Sequence, residues 1–143
     1  MIIPDANILL YAWDSTATHH AEAKEWVEFV FSGSEPVGLA WQNIAAFLRV
    51  ITNPRLTRQR FTIQEAVAIV AGWMEQPNIR ILGPGELHWN LLRDLLTRTQ
   101  VNGPDVTDAQ LAALTIEHGG ILYTTDRGFA RFPGLRWRNP LSA

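Results

Sequence analysis

The sequence predicts an α/β fold in which a mostly parallel sheet is covered by helices on both faces. Short apolar segments alternate with longer segments whose apolar residues recur at helical spacing, an alternation typical of parallel-sheet proteins. The chain has 143 residues, of which 47% are hydrophobic, and we find no repeat, low-complexity tract or linker in it. These observations predict one globular domain over residues 1–143 with a sizeable core.

Short apolar segments bounded by turn residues are the predicted strands. They cover residues 2–5, 37–40, 79–82, 121–124 and 135–137, the last at an edge of the sheet. Pro4 has no N–H to donate to a neighbouring strand, so we expect the first strand to end there or directly after it.

Helical spacing predicts the segments between the strands. The helices cover residues 8–13, about 23–30, 41–51, a segment from Thr62 to Pro77, a segment around 88–95, a segment from Thr107 to Gly119, and a short turn at 127–132. Thr62 with Glu65 matches a capping box, and Thr107 with Gln110 is a second candidate. The spacing predicts one buried face on the third helix and one on the fourth. These faces are Trp41, Ile44, Ala45, Leu48 and Ile51, and Ile63, Val67, Val70 and Met74.

Composition excludes several classes of function. The chain has no cysteine, so disulfides and thiolate metal sites are excluded, and the histidines lack the spacing of a zinc site. The N-terminus lacks the basic region of a signal peptide, and no segment approaches the roughly 20 apolar residues of a membrane span. We therefore expect no membrane association and a cytoplasmic protein. The net charge of −2 argues against a strongly basic nucleic-acid binder.

Three of the six aspartates lie where an apolar segment ends or a helix begins. Asp5 closes the first strand, Asp108 opens a helix, and Asp126 follows the strand at 121–124. In open α/β sheets, ligands bind outside the carboxyl ends of the strands, so we expect these acids to converge. Their oxygens suit a hard divalent cation, Mg²⁺ or Mn²⁺, and without a cation they would repel each other.

Each aspartate also has a purely structural interpretation. Asp5 and Asp126 can each cap the helix that follows, and Asp108 can stabilise a helix N-terminus through its dipole. A capping residue can still bind metal, so these interpretations do not exclude a metal site. With metal, the chemistry predicted is attack of an activated water on a phosphodiester.

Several motifs resemble those of PIN-domain ribonucleases of the VapC toxin type. They are Pro4-Asp5-Ala6-Asn7-Ile8-Leu9-Leu10-Tyr11, Phe47-Leu48-Arg49-Val50-Ile51-Thr52-Asn53-Pro54-Arg55, Val106-Thr107-Asp108-Ala109-Gln110-Leu111-Ala112, Thr124-Thr125-Asp126-Arg127-Gly128-Phe129 and Asn139-Pro140-Leu141. They occur in the family's order and span nearly the whole chain. The resemblance implies a three-layer α/β/α fold, a metal-dependent endoribonuclease acting as the toxin of a toxin–antitoxin system, a VapB-like antitoxin and usually a homodimer.

The resemblance also implies roles for individual residues. Asp5, Asp108 and Asp126 would be the metal-binding carboxylates of the catalytic site. Asn7 would orient Asp5 or a bound water, and Thr125 would help to fix the loop that carries Asp126.

The chain departs from the family's pattern at two positions. PIN domains typically have a glutamate where this chain has Ala46, and many have a second aspartate where it has Gly128. Gln42, one helical turn before Ala46, and Asp105, three residues before Asp108, are the candidates that would compensate. Asp105 is alternatively a loop or N-cap residue.

Arginines lie near the predicted site in sequence. Arg49 shares a helical stripe with Ala46, so it either contacts the site's carboxylates or a substrate phosphate, or forms a salt bridge that holds the fold. Two further groups follow the Asn53-Pro54 break and Asp126. The first group, either a candidate for contact with an RNA backbone or part of a solvated loop, is Arg55, Arg58 and Arg60. The second group, a candidate for contact with RNA or with an acidic antitoxin segment, is Arg127, Arg131, Arg136 and Arg138.

Two other functions are open on the sequence alone. A haloacid-dehalogenase-like phosphatase also has an aspartate after its first strand, but it needs an aspartate where this chain has Asn7 and a lysine at the site. A PIN-like module that binds RNA or protein without cutting is motivated by Ala46. An RNA-cleavage assay with and without divalent metal separates this module from the enzyme.

Overall fold

A computed structural model describes residues 1–141 of the chain, and five parallel strands form its central sheet. The strands are β1 (Ile2–Pro4), β2 (Val37–Ala40), β3 (Ile79–Leu82), β4 (Ile121–Tyr123) and β5 (Trp137–Arg138). Their order across the sheet is β3-β2-β1-β4-β5, which places the first strand at the centre. The strand predictions are confirmed, with small shifts at the ends.

Helices cover both faces of this sheet. They are α1 (Ala6–Trp13), α2 (His20–Phe31), α3 (Trp41–Ile51), α4 (Ile63–Met74), α5 (His88–Thr99) and α6 (Asp105–Glu117), followed by a 3-10 helix (Arg127–Arg131). Buried residues of α1 to α4 share one apolar cluster, and those of α5, α6 and the segment around the 3-10 helix share another. Ile2 of β1 belongs to the first cluster and its neighbour Ile3 to the second, because side chains alternate between the faces of a strand. The three-layer α/β/α prediction is confirmed. The last two residues of the predicted domain, 142–143, lie outside the described residues.

The predicted buried face of α4 is right for Val70 and wrong for its other three residues. Ile63, Val67 and Met74 are 50%, 51% and 40% exposed, whereas Ala66, Val70 and Trp73 are buried. The helix turns Trp73 inward because its ring packs against two core aromatic rings. The ring centroids lie 4.7 Å from Phe47 and 5.9 Å from Phe31.

The predicted face of α3 is only partly right. Ile44 and Ile51 are buried, but Trp41 is 58% exposed and Ala45 faces solvent. The helix buries Asn43 and Phe47 instead, so its inner face is rotated relative to the prediction.

One of the two predicted capping boxes is present. The Thr62 hydroxyl accepts from the Glu65 N–H at 3.1 Å, and the Glu65 carboxylate accepts from the Thr62 N–H at 3.0 Å. The second prediction is wrong because α6 begins earlier, at Asp105, directly after Pro104, whose φ of −59° is already helical. Thr107 therefore lies inside the helix, where its hydroxyl donates to the Pro104 carbonyl at 2.8 Å.

The pairing of β1 with β4 positions the predicted site. Pro4 lies opposite Tyr123, so the residues that follow, Asp5 and Thr124, emerge side by side at the carboxyl edge of the sheet. The Asp5 N–H donates to the Tyr123 carbonyl at 2.9 Å and continues the pairing to that edge. Among residues 1–141, the helices all fall short of the length and apolar character that crossing a bilayer requires.

Candidate metal site

Asp5 lies directly after β1 and caps α1, as its structural interpretation predicted. Its Oδ1 accepts from the Ala6 N–H at 2.7 Å. Its Oδ2 accepts from the Thr124 hydroxyl at 2.8 Å. Both oxygens therefore point to fixed donors, which hold the carboxylate at the sheet edge.

Thr124 connects two of the predicted site residues, and sequence reasoning missed it. This fully buried hydroxyl donates to Asp5 and accepts from the Asp126 N–H at 3.0 Å. It thus sets the backbone after β4 relative to the carboxylate after β1. The signal was the polar residue at the end of an apolar strand, but its partner becomes identifiable only once β1 is known to pair with β4.

Asn7 and Thr125 form the contact that links α1 to the Asp126 loop. The Asn7 Nδ2 donates to the Thr125 hydroxyl at 3.0 Å and lies 3.5 Å from the Thr124 hydroxyl. The Asn7 Oδ1 is buried and has no hydrogen-bond partner within residues 1–141. A buried amide oxygen without a donor is unusual, and it leaves an acceptor that a bound water or cation would satisfy.

Asp108 lies in the first turn of α6, where the dipole favours negative charge. Its Oδ2 accepts from Arg131 Nη2 at 3.1 Å, and the same nitrogen lies 3.7 Å from Asp105 Oδ1. Asp105, predicted as a loop or N-cap residue or as a compensating ligand, is the first residue of α6 and pairs with Arg131.

Asp126 caps the 3-10 helix, as its structural interpretation predicted. Its Oδ1 accepts from the Gly128 N–H at 2.8 Å. A Cβ at position 128 would lie 2.9 Å from that oxygen, so the glycine leaves room for this close turn.

A cavity of about 410 Å³ opens between α1, α3 and α6, and two of the three predicted acids line it. Its wall is formed by Asp5, Ala6, Gln42, Asn43, Ala45, Ala46, Arg49, Thr107, Asp108 and Leu111. The structure thus brings Asp5 and Asp108 to one cavity, whereas Asp126 lies outside its lining. Ala46, where the family typically has glutamate, presents only a methyl group to it.

Two side-chain amides of α3 connect this helix to the neighbouring elements that form the cavity. The Gln42 side chain donates to the Thr107 carbonyl at 3.0 Å, so it lines the cavity while tying α3 to α6. The buried Asn43 side chain donates to the Pro4 carbonyl at 3.0 Å and ties α3 to the end of β1. Asn43 was not predicted; an amide next to the apolar residues Ile44 and Phe47 of this helix was the available signal.

Arg49 lies in the cavity wall, exposed to solvent. Within residues 1–141 it forms no ion pair, so the interpretation as a fold-holding salt bridge is wrong for this part of the chain. The guanidinium is available to an anionic ligand in the cavity.

The acids affect one another electrostatically. Burial raises the pKa of the Asp5 carboxyl above its ordinary 3.8; hydrogen bonds from Thr124 and Ala6 oppose this rise, and repulsion from Asp108 and Asp126 adds to it. Burial also raises the pKa of Asp108, and repulsion from Asp126 and Asp105 adds to this rise. Attraction to Arg131 opposes the rise. The repulsion expected among the aspartates is therefore present.

The residues fit a hard divalent cation in their chemistry, although not as a preformed cage. Among the described residues, no three His, Cys, Asp or Glu side chains are arranged closely enough to hold a metal ion together. Two carboxylates share one cavity, however, and a third, Asp126, is close enough to repel both. Mg²⁺ retains several waters and needs few protein ligands, so this donor set suffices.

We expect the raised pKa values to make metal-free stability depend on pH. A carboxyl group whose pKa is higher in the folded than in the unfolded protein destabilises the folded state when it is ionised. This destabilisation decreases as pH falls through the raised pKa toward 3.8. Asp5→Asn removes this group and should stabilise the metal-free protein at neutral pH. Urea unfolding in EDTA should show this gain shrinking on acidification. A gain that stays constant or grows at lower pH would contradict the assignment.

The remaining arginines divide into tethered and free side chains. Arg136 donates to the Gly119 carbonyl at 2.8 Å, and Arg131 pairs with the acids, so neither lies free on the surface. Arg55, Arg58 and Arg60 are exposed in the segment between α3 and α4, and Arg127 and Arg138 are exposed near the 3-10 helix. These five, like Arg49 in the cavity wall, are available to a polyanion.

The fold is that of a PIN domain: residues 2–135 match that family, and the chain belongs to it. Among its relatives, the ribonuclease VapC43 of Mycobacterium tuberculosis is 38% identical over 141 residues, covering 99% of this chain and 96% of the relative. The ribonuclease VapC37 of the same organism is 36% identical over 140 residues, covering 98% and 97%.

Solved structures share the fold at lower identity. The VapBC2 complex of Rickettsia felis, bound to a DNA fragment from its promoter, matches with a TM-score of 0.69 and 16% identity over 99% of this chain and 100% of that chain. The sarcin–ricin loop cleaving toxin VapC20 of M. tuberculosis matches with a TM-score of 0.68 and 17% identity over 95% and 99%.

Proposed function

We propose that this chain is a metal-dependent endoribonuclease and the toxin of a VapBC-like toxin–antitoxin pair. The observation that carries the proposal is the cavity into which Asp5 and Asp108 converge, at the sheet edge where α/β folds bind ligands. The relatives with 36–38% identity are named ribonucleases and align along nearly the whole chain, which supports the same activity here.

Asp5 and Asp108 would hold Mg²⁺ or Mn²⁺, with Asp126 contributing directly or through water. When bound, such a cation supplies an activated water and neutralises charge on the phosphate under attack. Hydrogen bonds of Thr124 and Asn7 fix the position of the Asp126 loop relative to Asp5. Arg49, which is exposed in the cavity wall, would bind the RNA phosphate.

We also propose a VapB-like antitoxin as partner and a homodimer as the assembly. Several neighbours in structure are VapBC complexes, which supports the first of these. An apolar groove of about 650 Å³ between α2 and α4, lined by Trp13, Phe31 and Trp73 among others, offers a surface for a protein segment. It lies away from the acids, so a partner seated there would leave the cavity's own residues in place.

The experiment is cleavage of a defined RNA by the purified protein with Mg²⁺, with Mn²⁺ and with EDTA. We expect cleavage with either metal, none with EDTA, and recovery when metal is restored. The second candidate function, a PIN-like module that binds without cutting, is favoured by the methyl group of Ala46 in the cavity wall. RNA that binds yet stays intact under every metal condition would support that module and contradict the nuclease.

A further inference from the structure

Arg131 bridges two parts of the acidic site. It lies at the end of the 3-10 helix that Asp126 caps, and its Nη2 reaches the first turn of α6. There it donates to Asp108 Oδ2 at 3.1 Å and lies 3.7 Å from Asp105 Oδ1. The guanidinium carbon lies 4.9 Å from the centre of the buried Phe132 ring, a contact that steadies the side chain.

The surroundings of Arg131 are strongly acidic. Asp105 and Asp108 lie at the end of this 3-10 helix, Asp126 caps its start, and Asp5 lines the same cavity as Asp108. In the part of the chain described here, Arg131 is the basic side chain that forms an ion pair with any of these four acids. It therefore supplies the positive charge nearest to a group of carboxylates that repel one another.

The Asp108 carboxylate is only partly used by this pair. Arg131 takes Oδ2, while Oδ1 has no hydrogen bond within residues 1–141. The side chains of Arg131 and Asp108 are 34% and 32% exposed, so a small cation can approach from solvent. A cation bound at Asp108 would lie close to the guanidinium, and two positive charges at that separation repel.

Resting on the proposed function, we propose that Arg131 is a built-in counter-ion of the metal site. It holds Asp108 in place when no divalent cation is bound, and it competes with that cation for the carboxylate, so it lowers the site's affinity for metal. Arg131 is thus a positioning residue that acts through Asp108.

The test is calorimetric titration of the purified full chain with Mn²⁺. We expect Arg131→Gln to bind Mn²⁺ about 5- to 10-fold more tightly than wild type, because the charge is gone. Arg131→Lys keeps the charge and should stay within about twofold of wild type. Arg127→Gln is the matched control: it removes the same charge from the same 3-10 helix, where Arg127 forms no ion pair with the described acids, and should also stay within about twofold.

A second readout is thermal unfolding with EDTA and with saturating Mn²⁺. Arg131→Gln should melt below wild type in EDTA and gain more on adding Mn²⁺, because tighter binding stabilises the folded state more. Equal or weaker Mn²⁺ binding by folded Arg131→Gln would overturn the inference, as would an equal gain in Arg127→Gln. Absence of Mn²⁺ binding by the wild type would instead overturn the proposed function.

Discussion

Replacing Asp5 with asparagine is expected to reduce RNA cleavage by about 10²–10³-fold. The amide keeps the size of the side chain and an oxygen to cap α1, so the fold should persist. It removes the negative charge that the cavity presents beside Asp108. Initial rates of cleavage at saturating Mn²⁺ measure the effect.

The control for this variant is Asp94→Asn. Asp94 is an exposed aspartate on α5 that pairs with Arg98 at 3.3 Å, outside the lining of the cavity. The Asp94→Asn variant should cleave RNA at the wild-type rate. The account would be contradicted if Asp5→Asn kept more than about a tenth of wild-type activity, because one site carboxylate would then be dispensable.

Replacing Phe47 with alanine is expected to lower the free energy of unfolding by about 3–5 kcal/mol. Phe47 is fully buried at the centre of α3 and packs against Trp73 of α4, with ring centroids 4.7 Å apart. Domains of this kind have total stabilities of about 5–15 kcal/mol, so the loss should be visible as a large drop in the urea midpoint.

Phe29→Ala is the matched control for this change. Phe29 lies on α2 and is 76% exposed, so the same truncation should alter stability by less than about 0.5 kcal/mol. Equal losses in the two variants would mean that α3 and α4 do not pack as the structure shows.

The strands and their order of appearance were predictable because short apolar segments bounded by turn residues leave few alternatives. The face that a helix buries was not predictable. On α4, the stripe through Val67 and Met74 and the stripe through Ala66, Val70 and Trp73 both have helical spacing. Tertiary packing chose the second, since Trp73 fits between core aromatic rings.

Some residues of the candidate site were likewise predictable from the sequence, and others were not. Asp5 and Asp108 were predictable from their places at a strand end and a helix start, and the structure brings them to one cavity. Thr124, Asn43 and the Arg131–Asp108 pair were not, because each depends on contacts between segments distant in sequence. Spacing within one segment carries no information about such contacts.

Crystals soaked in Mn²⁺ will show whether Asp5 and Asp108 bind one divalent cation together. We predict an anomalous scattering peak in the cavity, about 2.0–2.2 Å from an oxygen of each carboxylate. A Mn²⁺-soaked crystal without a peak there, or with Mn²⁺ bound only at other carboxylates, would rule out this shared binding.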